Sequence, residues 1–266
     1  MHNTTRLRWT IFAAAVVCLL SLTGAAGPRA SISQARAPLL VLWAWEGPES
    51  LLFADSQQVG VAFLAESILL EQQPVLRPRL QPLSVTRNTP LIAVVRLEAR
   101  PRTPSTPDSA YTATVAQWIA NTAREPQVQA VQIDFDATRS QRAFYRALLA
   151  QVRPLLPPAT RLSITALGSW CLGDDWLAGL PIDEAVPMLF RMGVDRQNIL
   201  RALAAGDDFR EPLCRTSIGV STDEPWPALA GAPGFATAWP GRRVYVLNPH
   251  PWTKTSFAAV LGKLTP

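Results

Sequence analysis

Eight apolar runs of strand length recur after residue 38, and helix-like segments separate several of them. The runs are rich in valine, isoleucine, leucine and aromatic residues, which is typical of parallel strands buried on both faces. They span residues 38–45, 59–70, 90–98, 128–136, 161–170, 184–190, 215–222 and 242–248. Eight strands in one domain of about 230 residues predict a closed (β/α)8 TIM barrel of the α/β class rather than an open sheet.

Four segments carry apolar side chains at helical spacing, namely residues 108–125, 140–156, 195–206 and 253–264. The residues from Thr138 to Gln141 fit a capping box at the start of the second segment. The stretch between the second and third strands is too rich in proline for a regular helix. The barrel is therefore predicted to be irregular in its early βα units.

Residues 1–26 have the layout of a secretory signal peptide, because Arg6 and Arg8 precede an apolar stretch and small residues follow it. The apolar stretch is about 14 residues long, short of the roughly 20 that span a bilayer. An uncleaved anchor is the alternative, and it is the one route to a membrane. We predict a signal peptide at 1–26, a short extension at 27–37 and a single barrel domain at 38–266, in an exported protein that is periplasmic or extracellular.

The charge of the chain gives no reason to expect a nucleic-acid partner. The formal net charge is +5, and removing Arg6 and Arg8 leaves 23 − 20 = +3, without a run of basic residues and interleaved aromatics. Since His250 is the one histidine after the signal, we predict no metal and no cofactor. A site for Mg²⁺ or Ca²⁺ built from carboxylates alone is the less favoured alternative.

Two cysteines, Cys171 and Cys214, remain after residue 26. An exported chain with two cysteines favours a disulfide. The predicted barrel places the two residues at opposite ends of the fold, which argues against pairing. Both possibilities remain open at this point.

The predicted strand ends collect acids and tryptophans, and the active site of such a barrel lies at the C-terminal ends of its strands. Carboxylates beside indole rings suit a sugar site, because acids transfer protons and flat apolar surfaces stack on pyranose faces. The candidate catalytic residues are Glu46, Asp134, Asp136 and Asp223; the candidate carbohydrate-binding residues are Trp45, Glu66, Glu98, Trp170, Arg191, His250 and Trp252.

The fourth strand gives the sharpest prediction. Because side chains alternate along a strand, Gln132, Asp134 and Asp136 share one face, and the apolar residues between them suit the helix layer. The polar face then points into the barrel, where two neighbouring carboxylates should raise the pKa of one. The structural alternative is that both aspartates form ion pairs with inward arginines such as Arg96 or Arg191.

The other candidates also have structural alternatives. The acids at the remaining strand ends could cap helices or pair with arginines. His250 lies between two prolines and could be a loop residue. The tryptophans could be core or rim residues rather than sugar platforms.

The segment "VQIDFDA" resembles the fourth-strand motif of family-18 glycoside hydrolases, the chitinase-like barrels, whose pattern is Asp-x-x-Asp-x-Asp-x-Glu. In that alignment Asp134 and Asp136 match the second and third aspartates. Val131 falls on the first acid, and Thr138 falls on the proton-donating glutamate. The resemblance implies a glycan-handling barrel in which the roles of the two aspartates do not carry over unchanged, because threonine cannot donate the proton.

Two further positions extend this resemblance. "MLFRMG" is similar to the Met-x-Tyr-Asp/Asn segment of the same family, with Phe190 at the tyrosine and Arg191 at the acid or amide. Trp252 resembles the terminal tryptophan of that family. Over nearly the whole chain after residue 37, the sequence also resembles a bacterial family known as domain of unknown function 3142, through "WAWE", "VAFLA", "DFDA", "DEAVPMLFRMG" and "IGVSTDEPW". That family implies no activity.

Two functions remain open from the sequence. The first is an exported glycoside-hydrolase-like barrel that binds a glycan, with or without hydrolysing it. Asp136 would then be the acid/base, Asp134 would tune its pKa, and Glu46 or Asp223 would be the second carboxylate. The alternative is a non-catalytic barrel that binds a saccharide or a protein through the same mouth.

Overall fold

The computed structural model describes residues 39–100, 103, 107–227 and 235–264. These residues belong to one unit that spans residues 37–266. The predicted signal peptide (1–26) and the short extension (27–37) lie outside the described residues.

Eight parallel strands close into a barrel. They are β1 (Leu40–Ala44), β3 (Val59–Leu70), β6 (Leu91–Ala99), β7 (Val128–Asp134), β8 (Arg161–Leu167), β9 (Glu184–Met188), β10 (Ser217–Ser221) and β11 (Arg243–Leu247). Each pairs with the next in this order, and β1 pairs with both β3 and β11, so the sheet has no open end. The predicted (β/α)8 TIM barrel is confirmed.

The early part of the barrel is irregular, as predicted. The short strands β2 (Glu49–Ser50) and β5 (Leu83–Ser84) form a separate parallel pair. The strand β4 (Val75–Pro78) runs antiparallel to β3. None of the described helices lies between residues 45 and 90.

Helices follow the later strands, and all four predicted helical segments are present. The helices are α1 (Ser109–Asn121), α2 (Arg142–Leu155), α3 (Gly168–Gly173), α4 (Arg196–Ala204), α5 (Phe235–Ala238) and α6 (Lys254–Leu264). The capping box between Thr138 and Gln141 forms in the 3-10 turn that leads into α2, and it satisfies backbone groups at the start of that helix. Within the described residues, no helix has the length and apolar character needed to cross a membrane.

The barrel buries two separate cores, one on each face of its strands. The outer core lies between strands and helices, where Ile133 of β7 packs in one cluster with Tyr145 of α2. The inner core fills the barrel, where the Trp43 and Tyr245 rings lie 5.2 Å apart. A Cβ on Gly219 would lie 3.0 Å from the Trp43 ring, so glycine there lets the indole fit against β10.

Polar side chains fill the barrel interior between Trp43 and the N-terminal ends of the strands. The Trp43 indole N–H donates to Gln132 Oε1 at 2.9 Å. Deeper in the barrel, Glu184 accepts from Arg243 at 2.7 Å and from the Tyr245 hydroxyl at 2.9 Å. Because buried polar groups are stable only when paired, this network makes the lower barrel a packed interior.

Cys171 and Cys214 form a disulfide, with their Cα atoms 5.9 Å apart. The expectation that they lie at opposite ends of the barrel is wrong. Helix α3 carries Cys171 into the outer core, and the segment before β10 runs past it, so that the Arg210 N–H donates to the Cys171 carbonyl at 2.9 Å.

Candidate functional site

A cavity of about 400 Å³ opens at the C-terminal ends of the strands. Trp43 lines it, and side chains from β6 to β9 and from the loops after β1, β9 and β11 complete the wall. Its polar lining residues are Arg96, Asp134, Asp136, Thr165, Ser169, Arg191, Asp195 and Asn248. Of the eleven candidate residues, the structure brings Trp45, Asp134, Asp136 and Arg191 together around this cavity.

Asp134 ends β7 and lies partly buried in the cavity wall. Its pKa is raised to about 6, mainly by burial, and a hydrogen bond from the Thr165 hydroxyl (2.7 Å to Oδ1) opposes the rise. The neighbouring charge of Asp136 raises the pKa further, and Arg96 lowers it. The pKa is therefore raised as expected, but the main cause is burial rather than the second carboxylate.

Asp136 lies two residues beyond Asp134 and is exposed to the cavity. Burial of its carboxylate by the surrounding wall raises its pKa, and the positive charge of Arg96 partly offsets the rise. Within the described residues, the Asp136 carboxylate makes no hydrogen bond and no ion pair. It is therefore free to contact a ligand.

The closest carboxylate contacts of the two cavity arginines are to acids at the rim. Arg96 Nη1 lies 3.4 Å from Glu46 Oε1, and Arg96 Nε lies 3.8 Å from Glu98 Oε1. Arg191 Nη2 lies 3.8 Å from Asp223 Oδ2. The described ion pairs thus leave out both aspartates, and the structural alternative for them is not realised.

Trp45 follows β1 and is half-buried at the mouth of the cavity. The Arg96 guanidinium lies 5.9 Å from the centre of its ring. The Trp45 carbonyl accepts a hydrogen bond from Arg79, which also donates to the Gly47 carbonyl. These contacts fix the loop that presents the indole.

The other two predicted tryptophan platforms are buried in the outer core, so both predictions are wrong. Trp252 is 4% exposed, and its indole N–H donates to the Trp43 carbonyl at 2.9 Å. Trp170 is 3% exposed and packs edge-on against Trp176, with ring centres 4.8 Å apart. The predicted strand 161–170 ends at Leu167, and α3 then turns Trp170 outward.

Glu66 does not reach the cavity, because a β-bulge interrupts the alternation of β3. The pairing with β6 shifts between Leu64 and Glu66, and Ala65 has no partner there. After the bulge, Glu66 pairs with Val95, and both lie on the same face as Ile68, in the outer core. Glu66 is 9% exposed, and burial raises its pKa to about 7.

The remaining candidates lie around the mouth but outside the cavity wall. Glu46 is 66% exposed, and Glu98 pairs with Arg100 at 2.6 Å. Asp223 accepts a hydrogen bond from the Ser221 hydroxyl. His250 is exposed in the loop after β11 and does not line the cavity, so its prediction as a ligand contact is not supported.

The lining residues that sequence reasoning missed include Trp43, Thr165 and Asp195. Strand alternation could have found two of them. Trp43 shares a face with Trp45, and Thr165 shares an inward face with Ser163. Asp195 is the first residue of the predicted helical segment 195–206, and no signal in the sequence places it at the cavity. Among the described residues, no cluster of histidine, cysteine and acidic side chains is suited to a metal ion.

The Asp134→Asn substitution is expected to stabilise the protein at neutral pH. A carboxyl whose folded pKa is raised contributes stability that is present at low pH and lost as the pH rises through about 6. Removing the charge should therefore raise the free energy of unfolding by about 1–2 kcal/mol at pH 7.5, after allowance for partial exposure. Urea unfolding at pH 7.5 and pH 4 measures this, and equal gains at both pH values would contradict it.

The fold and the cavity define a closed (β/α)8 barrel whose mouth carries acidic and aromatic side chains. Residues 87–191 match the model of a domain of unknown function, DUF3142, a span that runs from before β6 to Arg191. No curated protein matches the chain.

The chain is similar to the crystal structure of the chitinase domain of the spore coat protein CotE from Clostridium difficile. The TM-score is 0.41 and the sequence identity is 12%. The similarity covers 79% of this chain and 64% of that chain. A similarity at this level implies no activity and no substrate for the present chain.

Proposed function

We propose that the mouth of the barrel binds a carbohydrate and that its two aspartates equip it for glycoside hydrolysis. The observation that carries the proposal is that neither acid is paired with an arginine: Asp134 and Asp136 share a cavity with Trp45, have raised pKa values and form none of the described ion pairs. Acids that serve only stability are normally paired.

The cavity suits a saccharide in size and in chemistry. A volume of about 400 Å³ lies within the range of small-molecule sites. The half-buried Trp45 ring offers a flat face for a pyranose, as in other aromatic sugar contacts. Thr165, Ser169 and Asn248 supply hydroxyl and amide groups that can hydrogen-bond sugar hydroxyls.

Asp136 is the proposed acid/base, because it is exposed to the cavity and has no partner within the described residues. Asp134 accepts a hydrogen bond from Thr165, and the charge of Asp136 contributes to the raised pKa of Asp134. Thr138 does not line the cavity, and its backbone and side chain take part in the helix cap with Gln141. We therefore assign the proton donor to Asp136, one of the aspartates that line the cavity.

We further propose that the protein is exported and acts in the periplasm or outside the cell. The disulfide between Cys171 and Cys214 supports this location, because disulfides persist in oxidising compartments. The signal-like residues 1–26 support it as well.

The test is a glycan array probed with the purified full-length chain, followed by turnover assays on each glycan that binds. The Asp136→Asn substitution is expected to reduce turnover at least about 100-fold while leaving glycan affinity within a few-fold, because the lost group transfers a proton. The Trp45→Ala substitution is expected to weaken binding about 10-fold, because a stacking surface is removed.

Two matched variants serve as controls. Asp207 is exposed and lies away from the cavity, so Asp207→Asn should leave turnover unchanged. Leu80 is 87% exposed, so Leu80→Ala should leave binding unchanged. Turnover that survives Asp136→Asn would remove that residue from the mechanism. Binding without any turnover would favour the non-catalytic barrel, and the absence of glycan binding would refute the proposal.

A further inference from the structure

We propose that the carbohydrate bound at this mouth is acidic and that Arg191, together with Arg96, binds its carboxylate or sulfate group. The inference rests on the proposed carbohydrate binding and names the class of substrate. It is carried by two guanidinium groups that line the cavity and whose carboxylate contacts within the described residues are 3.4–3.8 Å long.

Both guanidinium groups have unused hydrogen-bonding capacity. The Arg191 guanidinium donates none of the hydrogen bonds found within the described residues, and its nearest described acid, Asp223, lies 3.8 Å away. The shortest carboxylate contact of Arg96 is 3.4 Å, to Glu46. Charge-assisted hydrogen bonds between nitrogen and a carboxylate are normally about 2.7–2.9 Å long. Donors therefore remain available to a ligand on both side chains.

Six other described arginines each lie within 3.0 Å of a carboxylate oxygen: Arg100, Arg142, Arg153, Arg196, Arg242 and Arg243. The carboxylate contacts of Arg96 and Arg191 are longer than any of these six.

The backbone of Arg191 is held in an uncommon conformation. Its φ is +50°, in the left-handed region that residues with a Cβ rarely adopt. The Glu224 carboxylate accepts from the Arg191 N–H at 2.8 Å and from Arg196 at 2.8 Å. Glu224 is therefore a positioning residue that keeps Arg191 at the cavity. Strained backbone of this kind is concentrated at functional sites.

The arginines are placed to read a substituent of a stacked sugar. The Arg96 guanidinium lies over the Trp45 ring, 5.9 Å from its centre, so a sugar that contacts this indole comes close to the guanidinium. An anionic substituent matches the planar fork of arginine with two acceptor oxygens, which a hydroxyl cannot do. The opposing charges are Asp134, Asp136 and Asp195 in the cavity wall and the rim acids Glu46, Glu98 and Asp223. The raised pKa values of Asp134 and Asp136 reduce the repulsion of an anion by these two groups in mildly acidic solution.

Isothermal titration calorimetry on the full-length chain tests the inference with three ligands. They are an oligosaccharide of uronic acid, the same oligosaccharide with its carboxyl groups reduced to alcohols, and a sulfated oligosaccharide of equal length. One of the acidic ligands is expected to bind at least about 10-fold more tightly than the neutral one. The preferred acidic ligand identifies carboxylate or sulfate as the recognised group.

Substitutions then test whether Arg191 causes the preference for acidic over neutral ligands. Arg191→Gln is expected to abolish the difference between acidic and neutral ligands while leaving neutral binding intact. Arg191→Lys should keep only part of the difference, because lysine lacks the fork. Glu224→Gln should reduce acidic binding several-fold, and the exposed Arg201→Gln is the matched control. Thermal melting of each variant establishes that it folds.

The outcomes separate this inference from the proposed function. Equal binding of neutral and acidic ligands by the wild-type chain would overturn the acidic substrate and leave carbohydrate binding standing. An acid preference that survives Arg191→Gln would overturn the role of Arg191. Binding of none of the three ligands, together with no binding on the glycan array, would refute both proposals.

Discussion

Replacing Cys171 and Cys214 together by alanine is expected to lower the free energy of unfolding by about 4 kcal/mol. The bond joins residues 43 positions apart in the sequence, and breaking it frees the unfolded chain to adopt many more conformations. The disulfide also ties α3 to the segment before β10, beside the strands that carry the cavity wall. Urea unfolding of the wild-type protein, with its disulfide intact, and of the double-alanine variant measures the difference.

Two controls accompany this experiment. Wild-type protein treated with dithiothreitol should unfold at the same urea concentration as the double-alanine variant. Cys18 lies outside the disulfide, so Cys18→Ala should leave the transition unchanged. A double-alanine variant that unfolds within about 1 kcal/mol of wild type would show that the bond contributes little to stability.

Glu66→Gln is expected to remove a pH dependence of about 3 kcal/mol from the stability of the protein. Burial raises the pKa of Glu66 from 4.5 to about 7, and its Oε1 has no hydrogen-bond partner within the described residues. The folded state therefore binds the proton more tightly than the unfolded state. The resulting stability is fully present below about pH 4.5 and is lost as the pH rises through about 7.

The measurement is the free energy of unfolding in urea at pH 4.5, 6 and 8. Relative to wild type, Glu66→Gln should gain most at pH 8 and little at pH 4.5. Glu66→Met, which also removes the buried polar group, should show the same pH trend. Glu125 is exposed, so Glu125→Gln is the matched control. The difference in free energy of unfolding between wild type and Glu66→Gln should change across this range. A constant difference would contradict the burial of an acid at this position.

The barrel could be predicted from the sequence because its evidence is local and repeated. Each strand is an apolar run. Helices such as α2 are indicated by the spacing of their apolar residues and by the capping box at Thr138. The positions of Asp134 and Asp136 followed from the same rule, since side chains alternate along β7 and the apolar side must face the helices.

The errors arose where a local interruption changed the direction of a side chain. One extra residue, Ala65, turned Glu66 from the inner to the outer face of β3. The early end of β8 moved Trp170 from a strand into a helix. Such interruptions depend on contacts with neighbouring strands, so no pattern within one segment reveals them.

The sequence by itself determined the number of strands, their parallel order and the face on which the two aspartates lie, because hydrophobic periodicity acts over short segments. Only the tertiary structure decided which acids form ion pairs with arginine and which of the predicted tryptophans line the cavity. It also decided that the two cysteines form a disulfide. These outcomes depend on distances between residues far apart in the chain. Closing the barrel sets those distances, and side-chain packing then assigns each group its partner.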